Sequence, residues 1–470
     1  MKKNASNHNT MISRRKALKI IGTGALMAGA TPLLTMCRKS NQAQESVHGE
    51  TAEGEMTYRI NPTTHDKVSL LGYGCMRYPT IPDSGGKLDQ EAINQSIDHA
   101  LEHGVNYFDT SPAYCQGQSE TATGIALSRH PRDSSYIATK LSNFAPQSWS
   151  REASIEMFEN SLKNLQTDYI DYLLLHGIGM GGMEQYNSRY EDNGILDYLI
   201  EQKEAGRIRN LGFSYHGDIE VFDHLLKLHD EGRLKWDFVQ IQLNYVDWLH
   251  AKEVNTRNTN AEYLYDELWN KRGIPAVIME PLLGGRLASV PDNLTAMLKE
   301  KRPDSSIASW AFRYAGTPEG VLTVLSGMTY LEHLRENLAT YSPLQPITDD
   351  EDRLLQRVAT LMLQYPLIPC NLCNYCMPCP YGLDIPSVFN QYNKMVKSGN
   401  IITDNMDPEY AKARREFLVG LYRDVPARRQ ARNCIECGEC LVHCPQTINI
   451  PAEMRRIDAF SESLKRNNPA

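Results

Sequence analysis

Hydrophobic positions between residues 56 and 345 fall into two alternating rhythms. Short apolar runs at Val68–Leu71, Tyr107–Asp109, Tyr136–Thr139, Tyr169–Leu175, Ile208–Phe213, Phe238–Leu243, Pro275–Met279 and Val321–Leu325 have the length of strands, and their continuity suits burial on both faces. Between them, apolar residues recur at helical spacing. In Gln90–His103 the stripe is Ile93, Ile97, Ala100 and Leu101, with Asp89 placed to cap the start and Gly104 to stop it. In Ser154–Leu165 it is Ile155, Phe158, Leu162 and Leu165. This alternation predicts an α/β fold, a (β/α)8 TIM barrel. A doubly wound sheet is the competing architecture, but no G-x-G-x-x-G follows the first strand. Tyr58–Ile60 and Lys67–Ser69, joined by NPTTHD, predict a hairpin plugging the bottom of the barrel. Beyond the barrel, Asp350–Tyr365 and Pro408–Tyr422 read as helices.

The cysteines change the picture of the tail. The chain has 470 residues and 11 cysteines; the length predicts two or three domains, and most of the thiols are concentrated in two runs. PCNLCNYCMPCP holds Cys370, Cys373, Cys376 and Cys379; NCIECGECLVHCP holds Cys434, Cys437, Cys440 and Cys444. Each run closes on Cys-Pro, the spacing of thiolates folded around cubane clusters, in which the fourth Cys of each run serves the other cluster. The expected ligand sets are Cys370, Cys373, Cys376 and Cys444 for one [4Fe–4S] cluster, and Cys434, Cys437, Cys440 and Cys379 for the second. The first run ends in x2 where the bacterial ferredoxin pattern has x3. Four-cysteine zinc is the other chemistry that such sites hold. The polar, helical insert between the runs resembles an α-helical ferredoxin more than a compact one. Cys75 reads as core, and Cys115, next to Tyr114, either as a small buried thiol or as part of a pocket wall.

A formal charge of -8 argues against non-specific nucleic-acid binding. The N-terminus departs from that balance. Residues 1–36 carry Lys2, Lys3, Arg14, Arg15, Lys16 and Lys19 and no acid. SRRKALK followed by the apolar run Ile20–Met36 predicts a twin-arginine export signal, with the run short for a membrane span. Such a route carries folded proteins, which suits a chain whose clusters are assembled before export. Leu34–Cys37 resembles a lipoprotein box with Met36 in the place of a small residue, so a lipid anchor at Cys37 is the one expected membrane attachment; Ala28-Gly29-Ala30 is an alternative cleavage site. The expected organisation is a signal at 1–36, a linker at 37–55, a barrel at 56–345, a connecting helix at 346–365 and a cluster domain at 366–460, with a periplasmic or lipid-anchored destination.

In such a barrel, functional groups sit at the C-terminal ends of the strands. Those ends supply Asp109 with Tyr114 in the following loop, Lys140, His176, Ser214, Asn244 and Glu280. A tyrosine hydroxyl is a weak acid, with an ordinary pKa of about 10. A neighbouring ammonium lowers it, a carboxylate holds the lysine, and a histidine orients a carbonyl or alcohol oxygen.

GVNYFDTSPAYCQGQSE (Gly104–Glu120), YIATK (Tyr136–Lys140) and YLLLH (Tyr172–His176) resemble the aldo/keto reductase signatures, and LGFS, VQIQLNY, MEPLLGG and ENL continue the likeness in the family's order. The resemblance implies a general acid/base at Tyr114, tuned by Lys140 and Asp109, with His176 orienting substrate. It implies an NADP or NAD site at Ser214, Gln240, Pro281, Leu282, Gly327, Glu336 and Asn337. Three positions depart from the family pattern: Tyr215 stands where Asn often follows the serine, Met279 where an aromatic stacks on nicotinamide, and His333 where an Arg often holds the 2'-phosphate. Trp248 and Tyr245 are candidates for lining a cleft for a sugar, and Gly177–Gly182 for a loop over the site or a plain connection. The whole chain resembles the aldo/keto reductases that carry a C-terminal dicluster domain. Three functions stay open on these grounds. A carbonyl/alcohol oxidoreductase has clusters that relay electrons to a redox partner protein or quinone-linked chain. An ordinary reductase has structural clusters. An inactive barrel serves an electron-transfer or binding protein.

Overall fold

The computed structural model describes residues 54–363, 367–402, 405–446 and 448–466, all within one compact unit. The twin-arginine motif, Cys37 and the end of the Asp350–Tyr365 stretch lie outside them. Among the described residues, a hairpin of β1 (Tyr58–Ile60) and β2 (Lys67–Ser69) precedes eight parallel strands. These are β3 (Leu71–Gly74), β4 (Tyr107–Asp109), β5 (Tyr136–Leu141), β6 (Ile170–Ile178), β7 (Ile208–Tyr215), β8 (Phe238–Gln242), β9 (Ala276–Met279) and β10 (Val321–Ser326). They close in chain order, with β10 pairing β3. The expected TIM barrel is therefore the observed fold.

Strand bounds shift where the pattern was ambiguous. The run Val68–Leu71 is split: Val68 belongs to the hairpin, and the first barrel strand starts at Leu71. β6 runs on through His176 and Gly177 to Ile178, so the first part of the glycine-rich segment is strand, not loop. The Gln90–Glu102 helix begins at Asp89, whose carboxylate accepts the Ala92 N–H at 3.1 Å.

Strand period sorts the side chains. Tyr107, Ala138, Tyr172, Leu174, Phe238 and Val277 fill the barrel interior. Tyr172 meets Tyr107 and Phe238 edge-on, with ring centroids at 5.1 and 5.0 Å. The hairpin closes the N-terminal end through polar contacts: Tyr172 donates to Asp66 Oδ2 at 2.8 Å, and Asn61 Nδ2 donates to Asn210 Oδ1 at 3.2 Å. The other end of the barrel is open to chemistry.

The joining helix, Asp349–Met362, starts with a capping box made by Thr348 and Glu351. The Glu351 carboxylate also accepts from Arg302 at 2.5 Å and Arg313 at 3.0 Å, which fixes this helix to Ile307–Gly316. Tail helices Ile385–Lys397, Tyr410–Asp424 and Ile450–Arg466 then enclose a separate core containing Val388, Phe389, Phe417 and Met454.

Burial opposes ionisation of Glu351, yet hydrogen bonds from Arg313, the Thr348 N–H and Arg302 outweigh it and hold the carboxyl down to about 2. Its contribution is full above the ordinary carboxylate range and is lost as pH falls toward 2. Glu351→Gln is expected to lower stability by on the order of 2 kcal/mol at neutral pH and to flatten the acid limb of the stability curve, as measured by urea unfolding between pH 2 and 7. An unchanged acid limb contradicts the assignment.

Candidate active site

Strand alternation delivers four polar groups to the open end. Tyr107 and Asp109, Ala138 and Lys140, Tyr172, Leu174 and His176, and Phe238 and Gln240 are pairs or triplets two residues apart, and the first members line the barrel core. The last members stand one layer higher. Lys140 Nζ reaches Asp109 Oδ1 at 2.5 Å and the Thr110 carbonyl at 2.9 Å; Gln240 Nε2 donates to Asp109 Oδ2 at 3.3 Å. Both members of the ion pair are buried. Burial raises the Asp109 carboxyl and lowers the Lys140 amine, and each opposes the shift of the other.

Tyr114 opens the turn Tyr114–Gly117, in which Cys115 and Gln116 take left-handed φ of +50° and +56°. Its ring lies under Lys140 Nζ, 4.7 Å from the centroid, and edge-on to His176 at 5.9 Å. Burial, then the Asp109 carboxylate, holds the phenol well above the ordinary tyrosine range. The expected depression by Lys140 is not what the geometry delivers, because the ammonium is committed to Asp109 and Thr110. Burial therefore favours the neutral form of Tyr114.

His176 is kept neutral by burial and by Lys140, its pKa lying well below the usual value. Its Nδ1 lies 2.6 Å from Ser142 Oγ, which lies 2.8 Å from Ser111 Oγ. Arg189, on a π-helical turn (Asn187–Glu191), donates to the His176 carbonyl at 2.5 Å and covers the Phe144 ring at 5.2 Å. Ser142 and Arg189 lie outside every motif noted in the sequence, and nothing in the Gly104–Glu120 stretch marks Ser111 as a support for His176.

A cavity of about 600 Å³ opens over this constellation. Asp109, Tyr114 and His176 line it, and so do Pro281, Leu282, Gly327, Glu336 and Asn337, with Gln240, Met279 and His333 also on its wall. Ser214 is the exception among the expected nucleotide contacts. Its hydroxyl accepts the Gly177 N–H at 2.9 Å, and His216, two residues on, reaches the cavity instead. Asn244 is likewise structural: its amide holds Asp247 and the Glu280 carbonyl. Tyr245 and Trp248 are core residues that meet Tyr314 edge-on, not cleft residues. Cys75 is buried as expected, and Cys115 Sγ lies 3.4 Å from the Met76 carbonyl.

The tail covers the same cavity, whose wall includes Asn371, Cys373, Tyr375 and Pro445. Asn371 donates to Glu280 Oε1 at 3.1 Å and accepts from Arg77. Gly284 has φ +67°, and a Cβ there would come within 2.3 Å of Asn371 Cβ, so the backbone must approach bare. Asn255 donates to the Gln446 carbonyl. The cysteines form two sets. Cys370, Cys373, Cys376 and Cys444 line one small cavity; Cys379, Cys434, Cys437 and Cys440 line another, which Cys376 also borders. This donor set, soft sulfur in two groups of four, fits two cubanes.

A model of the aldo/keto reductase family matches residues 70–358, more than half of the chain. The chain belongs to the aldo/keto reductase family. A 4Fe-4S dicluster domain model matches residues 369–448. The chain is similar to L-galactose dehydrogenase of Arabidopsis thaliana, 25% identical over 63% of this chain and 91% of that protein. It is also similar to the NADH-specific methylglyoxal reductase of Escherichia coli, 25% identical over 63% of this chain and 95% of that protein. Among solved structures, the holo form of an aldo-keto reductase from Bacillus halodurans superposes with a TM-score of 0.51 and 26% identity over 65% of this chain and 96% of that one. This aldo/keto reductase is thus an oxidoreductase of an NAD(P)-using family, with an iron–sulfur dicluster domain attached.

Ser142→Ala removes the hydroxyl beside His176 Nδ1 while leaving the fold intact. The expected result is a fall in kcat/KM of roughly 10-fold, about 1.4 kcal/mol, with a thermal midpoint within a few degrees of wild type. Steady-state kinetics beside a melting curve checks it; unaltered kinetics rejects this role for Ser142.

Proposed function

We propose that this reductase interconverts a carbonyl and an alcohol on a small hydroxylated, sugar-like substrate after export from the cytoplasm, and that its clusters pass electrons to a redox partner. The observation that carries the first part is that Tyr114, Asp109 and His176, with Lys140 held against the first two, share one cavity with most of the expected nucleotide positions.

A nicotinamide held along Gln240, Pro281, Leu282, Gly327, Glu336 and Asn337 would supply or accept the hydride. The chain's own residues handle the proton. With Ser142 donating to Nδ1, neutral His176 keeps its Nε2–H for the substrate oxygen and orients it. Tyr114, protonated because it is buried, gives its proton to that oxygen as negative charge develops, and takes it back in the reverse direction. Lys140 lies against the Tyr114 ring and stabilises the phenolate left behind; Asp109, itself held by Gln240, keeps the lysine in place. The sugar-like substrate class draws support from the similarity to a protein named L-galactose dehydrogenase.

In the tail, Cys370, Cys373, Cys376 and Cys444 hold one cluster, and Cys434, Cys437, Cys440 and Cys379 the other. Loaded clusters would carry single electrons. The motive for assigning them a relay is the position of Cys373 on the wall of the active-site cavity.

Tyr114→Phe is the deciding variant. Carbonyl turnover is expected to fall roughly 10²–10⁴-fold, while iron stays at about eight per chain and cluster absorbance is unchanged. Unaltered turnover rejects the acid/base assignment, and zinc or about four irons in the wild type rejects the ligand sets. Export rests on Arg14-Arg15 and the apolar run behind them. Replacing both arginines by lysine is expected to retain the protein in the cytoplasm, as followed by fractionation and N-terminal sequencing; normal export of that variant refutes a twin-arginine signal.

A further inference from the structure

We propose that Tyr375, from the cluster domain, is a substrate-contact residue of the barrel's active site and selects for substrates with a hydroxyl beside the reacting carbonyl. This rests on the carbonyl/alcohol reading above and deepens it.

The tail's position over the barrel mouth is built, not incidental. Asn371 is gripped from both sides, by Arg77 and through Glu280, and Gly284 lets the two backbones meet. Four residues on, Tyr375 stands on the wall of the shared cavity. Its ring centroid lies 6.4 Å from that of Phe144, Phe144 lies 4.8 Å from His176, and His176 lies 5.9 Å from Tyr114. These four rings form a continuous arc from the proton-handling tyrosine of the barrel to a tyrosine of the tail.

Ligand spacing requires nothing aromatic between Cys373 and Cys376. A small polar residue would serve a cluster loop equally well, as Asn374 does beside it. Phe144 and Tyr375 offer flat apolar faces, against which the C–H face of a sugar-like carbon chain packs. The Tyr375 hydroxyl makes no hydrogen bond to another described residue, so its donor and acceptor capacity is open to a ligand in the cavity. A pocket that presents such a group discriminates against an analogue lacking the matching hydroxyl, because the phenol is then left unpaired when water is displaced.

The test compares wild type, Tyr375→Phe and Tyr375→Leu, each purified with clusters loaded and checked by iron content and absorbance, on glyceraldehyde and on propanal. These aldehydes have the same carbon chain and differ in hydroxyls. Wild type is expected to favour glyceraldehyde. Tyr375→Phe should raise KM for glyceraldehyde about 3–10-fold with little change in kcat, and should leave propanal kinetics unaltered. Tyr375→Leu should weaken both, through loss of the aromatic face. Equal effects of Tyr375→Phe on the two aldehydes, or none, overturn the proposal, as does loss of iron with a parallel fall on both substrates. Failure of the underlying reading looks different: Tyr114→Phe then matches wild type on both aldehydes. In that event saturation-transfer NMR of glycerol and 1-propanol decides the contact. A glycerol signal weakened by Tyr375→Phe supports it, and equal signals from both proteins overturn it.

Discussion

A lysine ammonium enclosed at the mouth of a barrel must be matched by charge, or it loses its proton. Here Asp109 and the Thr110 carbonyl match it, and Gln240 satisfies the second carboxylate oxygen. Removing either charge would leave the other buried alone, at a cost of roughly 3–5 kcal/mol. The pair is therefore rigid, and its rigidity fixes the geometry around it: the Tyr114 ring lies against the ammonium, and His176 faces Tyr114. The same commitment limits what Lys140 does for Tyr114 at rest. Burial dominates, and the phenol stays neutral. A neutral phenol next to a cation is an acid waiting for a developing alkoxide. In the proposed reaction the lysine's electrostatic benefit would fall on the phenolate that forms, which is where catalysis gains from it.

The second domain alters the site without touching this pair. Asn371, Tyr375 and Pro445 close part of the wall over the cavity. Closure excludes water, and every charge interaction beneath it strengthens as the local dielectric falls. It also bears on the mismatch between two-electron and one-electron chemistry. A hydride moves as a pair, whereas a cubane takes electrons singly. Cys373 lies on the cavity wall, so a cluster held through it would lie beside a nucleotide bound there, but adjacency alone does not split the pair. On the proposed reading the splitting is left to whatever occupies the cavity that the barrel and the tail share.

The barrel was legible because its signals are local and periodic. Strand runs, the Asp89 cap and the hairpin all depend on neighbours in sequence, and they survive into the structure with small shifts. The largest shift, at Val68–Leu71, arises because one apolar run serves two elements. The strand-end polar groups were legible too, since position along a parallel strand fixes height in the barrel. What sequence could not show is what long-range packing decides. Trp248 and Tyr245 look like cleft aromatics but pack on Tyr314. Ser214 looks like a nucleotide contact, yet it lies off the cavity wall, with its hydroxyl accepting the Gly177 N–H. Arg189 carries no motif, and only the π-helical turn brings it under His176.

Tyr375 and Asn371 escaped for another reason. They lie inside a run whose cysteines already account for its composition, so nothing in the spacing called for a second role. The clue was physical: a tyrosine in a cluster loop is bulkier than the loop needs, and a glycine with left-handed backbone at Gly284 signals a close approach by some other chain segment. Each is weak alone, because loops tolerate tyrosines and turns use glycines. Joined in three dimensions they describe one contact, in which the cysteine-rich loop at Asn371 is pressed against the barrel loop at Glu280–Gly284. Docking that would be costly between separate molecules is intramolecular here, with the entropy of association already met by the Asp349–Met362 helix that tethers the domains. That tether is why a few polar contacts suffice to seat the tail over the mouth, and why a side chain from the cluster loop can belong to the barrel's cavity.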